Sequence, residues 1–556
     1  MCGIWGYISH SPFSLDDCVK AYSTVRSRGP ERTITVHSDT YLFAFHRLAI
    51  NGTSGVKDQP YVYSYQNNGE EYTIYIMCNG EIYNAPELYT LITNLPFTTG
   101  MSDTEVIYLV YRYVNYNFSL LNRLLNGEYA LSIVYVNSNN IPIKCYLSTD
   151  YVSVRPLFYY IDEEHKQIGY SSLLKGLTSL PTVCAKHINR LEGGYQIEID
   201  MTSHMWSVKK SKYAQDCEII RRDIGSIKEK IVNTLTKTVH DRLLSDRPIG
   251  CLLSGGLDSS LTSAIVAREL SKKGMKLYTF SVGLEGSPDC KYARMVADHI
   301  GSIHTEIIVT PEEALSIIPD VIRTIESYDI TTIRASVWQY LLGKYISTHT
   351  DIKVVIAGEG SDELLGYVYF KAAPSAQEFQ LETERLIREI HLYDGLRADR
   401  CISHFGLEAR FPFLDQRFVE LVLSISPEWK MHTGGRPEKW ILREAFHSLD
   451  PGLLPYSVLF RPKVAQSDGC STVEKSWFQM IQDYIVYVPK EDKTLVTPVD
   501  HCPPISEESE YYRKVFHSIF PIEISHIIPH FWMPNSEWLP DVKDPSARTL
   551  SFYHTE

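Results

Sequence analysis

Two folded units in series, a β-rich first and an α/β second built on a mostly parallel sheet, are what this sequence predicts. Three observations carry the expectation. The 556 residues exceed what one hydrophobic core ordinarily holds. Up to about Ile199, short apolar segments alternate with turn clusters. Beyond Ile224 the apolar period becomes helical, and short apolar runs alternate with helical stretches.

In the first unit, Ile74-Tyr75-Ile76-Met77-Cys78 and the segment from Tyr129 to Val136 read as strands, and Asn51-Gly52 and Asn67-Asn68-Gly69 as turns. Residues 200–222 are polar and weakly patterned and read as a connection. Ile224, Ile227, Ile231, Leu235, Val239 and Leu243 then form the stripe of an amphipathic helix. It leads into the apolar run Ile249 to Leu253, the turn Ser254-Gly255-Gly256-Leu257-Asp258-Ser259-Ser260 and another helical stretch. Further apolar runs at Leu277 to Val282 and Lys353 to Ile356, each preceded by helix-like sequence, complete the α/β pattern. The expected division is 2–199, connection 200–222, and 223–550. The last hundred residues show no pattern that divides them.

Composition narrows the function. Hydrophobic residues at 44% and charged residues at 22% are ordinary for a globular chain. A net charge of −13 without a Lys/Arg block argues against a nucleic-acid binder and a polybasic membrane anchor. No apolar run approaches the roughly 20 residues of a membrane span. The start Met1-Cys2-Gly3-Ile4-Trp5-Gly6 lacks a signal peptide's basic and apolar regions. The 11 cysteines include no C-x-x-C pair, which speaks against a disulfide or zinc scaffold and for a reducing, cytoplasmic setting. An acidic chain can still hold ATP, since a few oriented backbone N–H groups suffice for phosphate.

Cys2 follows Met1 directly. With Met1 removed, a nucleophilic thiol and an α-amino group that titrates near pH 8 would share one residue, a base and a nucleophile for attack on an amide. Taken alone, a Met-Cys start is a small residue at a terminus. Acyl transfer also needs an oxyanion hole and groups for the substrate's charged end. Asn79 and Gly80, after an apolar strand, can supply the first. Arg47 can pair with an α-carboxylate, and Asp103 can accept from an α-ammonium. Each has a structural alternative: Asn-Gly as a turn, Arg47 as a solvated charge, Ser102-x-x-Glu105 as a capping box.

Taken together, Cys2-Gly3-Ile4, Arg26 to Glu31, His46-Arg47-Leu48, Asn79-Gly80-Glu81-Ile82-Tyr83-Asn84 and Ser102-Asp103-Thr104-Glu105 resemble class II glutamine amidotransferases in order and spacing. The resemblance implies an N-terminal-nucleophile αββα sandwich. It assigns Cys2 as nucleophile, Asn79 and Gly80 as oxyanion hole, and Arg47, Asn79, Glu81 and Asp103 as glutamine-binding residues. Two positions depart from the family: Ser153 stands where Gly is usual and Leu173 where Glu is usual.

In the second unit, the two glycines of Ser254–Ser260 permit a sharp strand-to-helix turn whose N–H groups and hydroxyls face a helix N-terminus, a pyrophosphate nest. The lysine and spacer of a Walker A loop are missing. Ser-Gly-Gly-x-Asp-Ser resembles the PP-loop of ATP pyrophosphatases, which are Rossmann-like α/β domains. Phe280 to Gly283, Ile325 to Asp329, Gly358-Glu359-Gly360-Ser361-Asp362-Glu363, Gly406 to Asp415, Lys439 to Phe446, Arg461-Pro462-Lys463 and Asp544 to Leu550 resemble asparagine synthetases.

That resemblance implies ATP and Mg²⁺ as requirements and glutamine, aspartate and ATP as small-molecule partners. Leu253, Val282 and Gly358 would contact the nucleotide. Ser254, Gly255, Gly256, Ser259, Ser260 and Lys463 would hold pyrophosphate, Asp258 and Asp362 would face Mg²⁺, and Glu359 would accept a proton from ammonia. Ala357 stands where many relatives carry Ser. For Glu359 and Asp362 the structural alternative is an acidic helix start, for Lys463 a surface cation. Arg410 and Asp415 read as ion-pair members. Another carboxylate in place of aspartate stays open, and a homodimer is compatible with the sequence but written in no motif.

Overall fold

The computed structural model describes residues 1–53, 58–67, 69–98, 100–220, 222–462, 469–471, 475–497 and 499–550. Lys463 therefore lies outside the described residues.

Two six-stranded antiparallel sheets make up the first unit. One runs, edge to edge, Ile188–Arg190, Phe158–Asp162, Gln167–Ser171, Gly3–Ser9, Tyr41–Arg47, Arg32–His37. The other runs Ser207–Lys212, Tyr195–Asp200, Pro142–Thr149, Gly127–Asn137, Glu70–Ile82, Tyr61–Asn67. Strand alternation sorts their side chains. Ile4, Ile8, Phe43 and Phe45 meet Met77, Ala130, Val134 and Leu147 between the sheets. Trp5, Tyr7, Leu42 and Ala44 turn outward onto the helix Leu15–Ser23 through Cys18 and Ala21. Ile74, Ile76, Leu131 and Ile133 turn outward on the other side, against Leu88, Val106, Val110 and Leu121 of three further helices. Tyr61, Tyr111, Tyr129 and Tyr135 pack in that last layer, and Tyr63 stacks on Tyr108.

Residues 200–222 are not wholly a connection. Ser207–Lys212 forms an edge strand against Tyr195–Asp200. Lys209, Lys210 and Lys212 line its exposed edge, which discourages pairing with another chain and makes the strand read as solvated linker.

The second unit holds a five-stranded sheet, Ile303–Ile308, Tyr278–Gly283, Ile249–Leu252, Val354–Ile356, Glu408–Arg410, in which every pairing is parallel. Chain order runs third, second, first, fourth, fifth. The direction of winding thus reverses between Ile249–Leu252 and Val354–Ile356, which opens a crevice at their carboxyl ends. The amphipathic stripe becomes the helix Ile224–Asp241, capped by Asp223 and buried through Ile227, Ile231, Leu235 and Val239. No helix among the described residues is long and apolar enough to cross a membrane.

The units meet through buried charge. Arg28 binds Asp399 with Nη1 and Nη2 at 2.7 and 3.1 Å, and Arg155 reaches the same carboxylate at 3.1 Å. Arg155 also binds Glu128 at 2.8 Å, Glu128 binds Arg242 at 2.9 Å, and Arg242 binds Asp415 at 2.8 Å. Against the burial that would raise it, Arg28 and Arg155 hold the Asp399 carboxyl below its usual range. Removing one partner of such a set leaves charge buried and unpaired. Asp399→Ala should cost about 3–5 kcal/mol, read as an earlier first transition on urea unfolding.

Candidate active sites

The first site lies where Gly3–Ser9, Tyr41–Arg47 and Glu70–Ile82 approach one another. Cys2, Arg47, Asn51, Asp58, Gly80, Glu81 and Asp103 line one cavity. Cys2 is held by its neighbours: its Sγ lies 3.6 Å from the Leu48 carbonyl, and Arg28 Nε donates to its carbonyl at 3.1 Å. Burial pushes the thiol up to about 11. The Met1 amino group is buried 3.5 Å from Glu408 Oε2.

Asn79, Gly80 and Glu81 belong to the strand itself, not to a turn after it. Asn79 shares the strand face of Met77, toward the inter-sheet layer that Cys2 borders. Its amide is fully buried, and among the described residues both Oδ1 and Nδ2 lack a hydrogen-bond partner. It does not line the cavity as the side chains stand. Gly80 has φ +151°, and a Cβ there would sit 2.0 Å from the Glu128 carbonyl oxygen, so only glycine fits.

Arg47 reaches Asp58 Oδ1 at 2.8 Å and the Gly52 carbonyl at 2.9 Å. Asp103 opens a 3-10 turn whose Ser102 makes no side-chain cap, so no capping box forms. Its Oδ2 accepts from Ile82 N–H at 2.7 Å. Burial, only partly offset by that bond, pushes its carboxyl up to about 6. The Asn51 amide donates to both Glu81 and Asp103.

The second site occupies the crevice of the parallel sheet, a cavity of about 220 Å³. Leu253, Ser254, Gly256, Asp258, Ser259, Val282, Gly358, Glu359 and Asp362 all line it. The turn after Ile249–Leu252 is tied within itself: Ser259 Oγ accepts from Ser254 N–H at 3.2 Å, and the two hydroxyls are 3.0 Å apart. The helix Leu257–Ser271 starts there and aims its positive end at the cavity. Gly255, at φ +70°, is absent from the wall. It serves the turn, for a Cβ would meet Tyr292 and Ala293 at 2.5 Å. Ser260 is also absent, because its side chain is wholly buried in the helix packing, with Oγ unpaired among the described residues.

The chain matches a glutamine amidotransferase domain model over residues 1–204 and an asparagine synthase model over 230–385 and 371–488. It is 37% identical over 583 residues to the chicken (Gallus gallus) protein named glutamine-hydrolysing asparagine synthetase, covering 100% of this chain and 99% of that one. The human protein of the same name is 36% identical with the same coverage. The chain belongs to the glutamine-hydrolysing asparagine synthetases.

For a family member, three features of the second site were not legible as site residues. Lys439 is buried, and its Nζ lies 2.6 Å from Asp258, 2.6 Å from Ser361 Oγ and 2.8 Å from Asp362. Its φ of +56° costs a non-glycine residue roughly 1–2 kcal/mol, strain held where the lysine spans two carboxylates. Gln339 donates to Glu359, and Arg397 lies 3.7 Å from it. Burial raises the Glu359 carboxyl, with Arg397 opposing. Lys439 lay in a motif segment but its partners lay far away in sequence; Gln339 and Arg397 carried no motif signal.

The departures have local explanations. Ser153 adopts φ +55°, a conformation that suits glycine, and donates from Oγ to the Leu191 carbonyl at 3.1 Å. Leu173 joins the apolar layer around Trp5. Gly358 packs its Cα against the phosphate-type turn, where a Cβ would stand 2.8 Å from Ser259 N. Gly358→Ala should weaken ATP binding about tenfold, about 1.4 kcal/mol, and leave glutamine hydrolysis intact, measured as the KM for each substrate.

Proposed function

We propose that the chain hydrolyses glutamine at the first site and uses the ammonia at the second to convert aspartate and ATP into asparagine, AMP and pyrophosphate. The observation that carries the reading is the presence, in one chain, of a thiol-lined cavity beside a buried unpartnered amide and a second cavity at the switch point of a parallel sheet. We assign the first unit to the N-terminal-nucleophile fold and the second to the PP-loop type.

In the form lacking Met1, the Cys2 α-amino group takes the thiol proton and Sγ attacks the glutamine amide carbonyl. Asn79 Nδ2 and Gly80 N–H stabilise the oxyanion, ammonia leaves, and water releases glutamate from the thioester. Arg47 binds the α-carboxylate, and Glu81 and Asp103 accept from the α-ammonium.

At the second site, an aspartate side-chain oxygen attacks the α-phosphorus of ATP and pyrophosphate leaves. Leu253, Val282 and Gly358 hold the nucleotide. Ser254, Gly256 and Ser259 hold pyrophosphate, with Lys463 as the family's cation there. Ammonia, delivered along a sheltered path, attacks the activated carbonyl, AMP departs, and Glu359 takes the proton; burial keeps its basicity high.

Asp258, Asp362 and the Ser361 hydroxyl are hard oxygen donors that Lys439 already brings together, and they fit Mg²⁺ held jointly with phosphate. The ion would supply charge neutralisation on the phosphates.

Cys2→Ala tests the coupled reading. Asparagine and AMP should form with either nitrogen donor in the wild type and with ammonium alone in the variant. Glutamine hydrolysis without asparagine in the wild type would move the second site to another carboxylate. A pH profile tests the first site: Asp103 must be ionised to bind the ammonium group, and its raised position means the charge is lost as pH falls through about 6. The glutaminase kcat/KM should therefore fall up to about tenfold per unit below that pH, higher than an unperturbed aspartate would dictate.

A further inference from the structure

Arg410 belongs to the parallel sheet, on the edge strand Glu408–Arg410, yet its side chain reaches Glu81 on the wall of the first cavity. Its Nη2 lies 3.6 Å from Glu81 Oε2 and 2.8 Å from Glu408 Oε1. Nη1 donates to the carbonyls of Arg242 and Leu244, each at 2.7 Å, and Nε donates to Glu408 at 2.8 Å. The guanidinium is fully buried and fixed from three directions, beside the Tyr83 ring. Its main-chain carbonyl accepts from Ala357 N–H at 3.0 Å, immediately before Gly358 and Glu359. One residue thus touches a wall residue of each cavity, Glu81 by its side chain and Ala357 by its backbone.

Glu81 needs such a neighbour. Burial first, then Asp103 and Glu408, push its carboxyl up, while Arg410 and the amino terminus oppose them. The thiols of Cys2 and Cys78 are its other titratable neighbours. Two carboxylates so close that one Asn51 amide donates to both cannot stay ionised together in a buried pocket without a cation.

We propose that Arg410 is a positioning residue for glutamine, lent by the ATP unit to the glutaminase pocket, where its guanidinium holds the Glu81 carboxylate in place to accept the substrate's α-ammonium. This rests on the reading of Glu81 given above. Wild-type glutaminase activity separates the two: its absence removes that reading, whereas an active wild type with an indifferent variant removes only Arg410.

The test compares Arg410→Met, Arg410→Lys, Glu81→Gln and the double variant Arg410→Met/Glu81→Gln in the full chain. Arg410→Met should raise the glutamine KM at least about tenfold with kcat within about threefold. Arg410→Lys should restore most of the affinity, and Arg410→Met should add less than about twofold on the Glu81→Gln background. Equal loss of glutamine- and ammonium-dependent synthesis at unchanged KM, or full additivity with Glu81→Gln, would overturn the proposal. If Arg410→Met does not fold, Arg410→Gln, which also removes the charge, carries the test. A KM increase confined to glutamine supports the role, and a parallel fall in both activities rejects it.

Discussion

The buried ion set running from Arg28 through Asp399, Arg155, Glu128 and Arg242 to Asp415 is the constraint on which the arrangement of both sites depends. Each of these charges would cost several kcal/mol to bury alone, so the two units can dock only where every member finds its partner. Apolar contact by itself tolerates sliding; this set does not. The docking it enforces places the Glu408–Arg410 strand against Glu81 and the amino terminus. Glu128 is the hinge of the set, since it also accepts from Phe411 N–H at 2.9 Å.

Within each unit the site sits where backbone geometry leaves polar groups exposed to a cavity. In the parallel sheet that place is the reversal of winding, where two strand ends diverge and a helix begins. The turns Ser254–Ser260 and Ala357–Gly360 face each other there, close enough that glycine is required at 358. In the antiparallel unit it is the strand carrying Asn79 to Glu81, where Gly80 lets two strands approach and a fully buried amide finds no partner among the described residues. Both sites store cost: an unpaired amide in one, a left-handed lysine in the other.

Much of this was legible in the chain. The stripe from Ile224 to Val239 is helical, the runs at Ile249, Leu277 and Lys353 are strands of a parallel sheet, and the expected strands of the first unit are present but longer. Short or charged strands escaped: Ser207–Lys212 reads as linker because its exposed edge is lysine, and Glu408–Arg410 is too short and polar to show a period. Most expected site residues gather in two cavities. Gly255, Ser260 and the Asn79 side chain do not line them: the first serves the turn, the second faces the helix packing and the third is fully buried.

The sequence by itself determined the chemistry: a thiol at position 2, an Asn-Gly-Glu strand end, a Ser-Gly-Gly-x-Asp-Ser turn and the local periods that set strand and helix. Those signals are readable because they act between residues a few positions apart. Only the tertiary structure decided which cations meet which carboxylates. Lys439 joins Asp258 across 181 positions of chain, and Arg28 joins Asp399 across 371. Burial settles such pairings, since a charge removed from water takes whatever opposite charge the packed units bring within reach, and no local pattern encodes that distance.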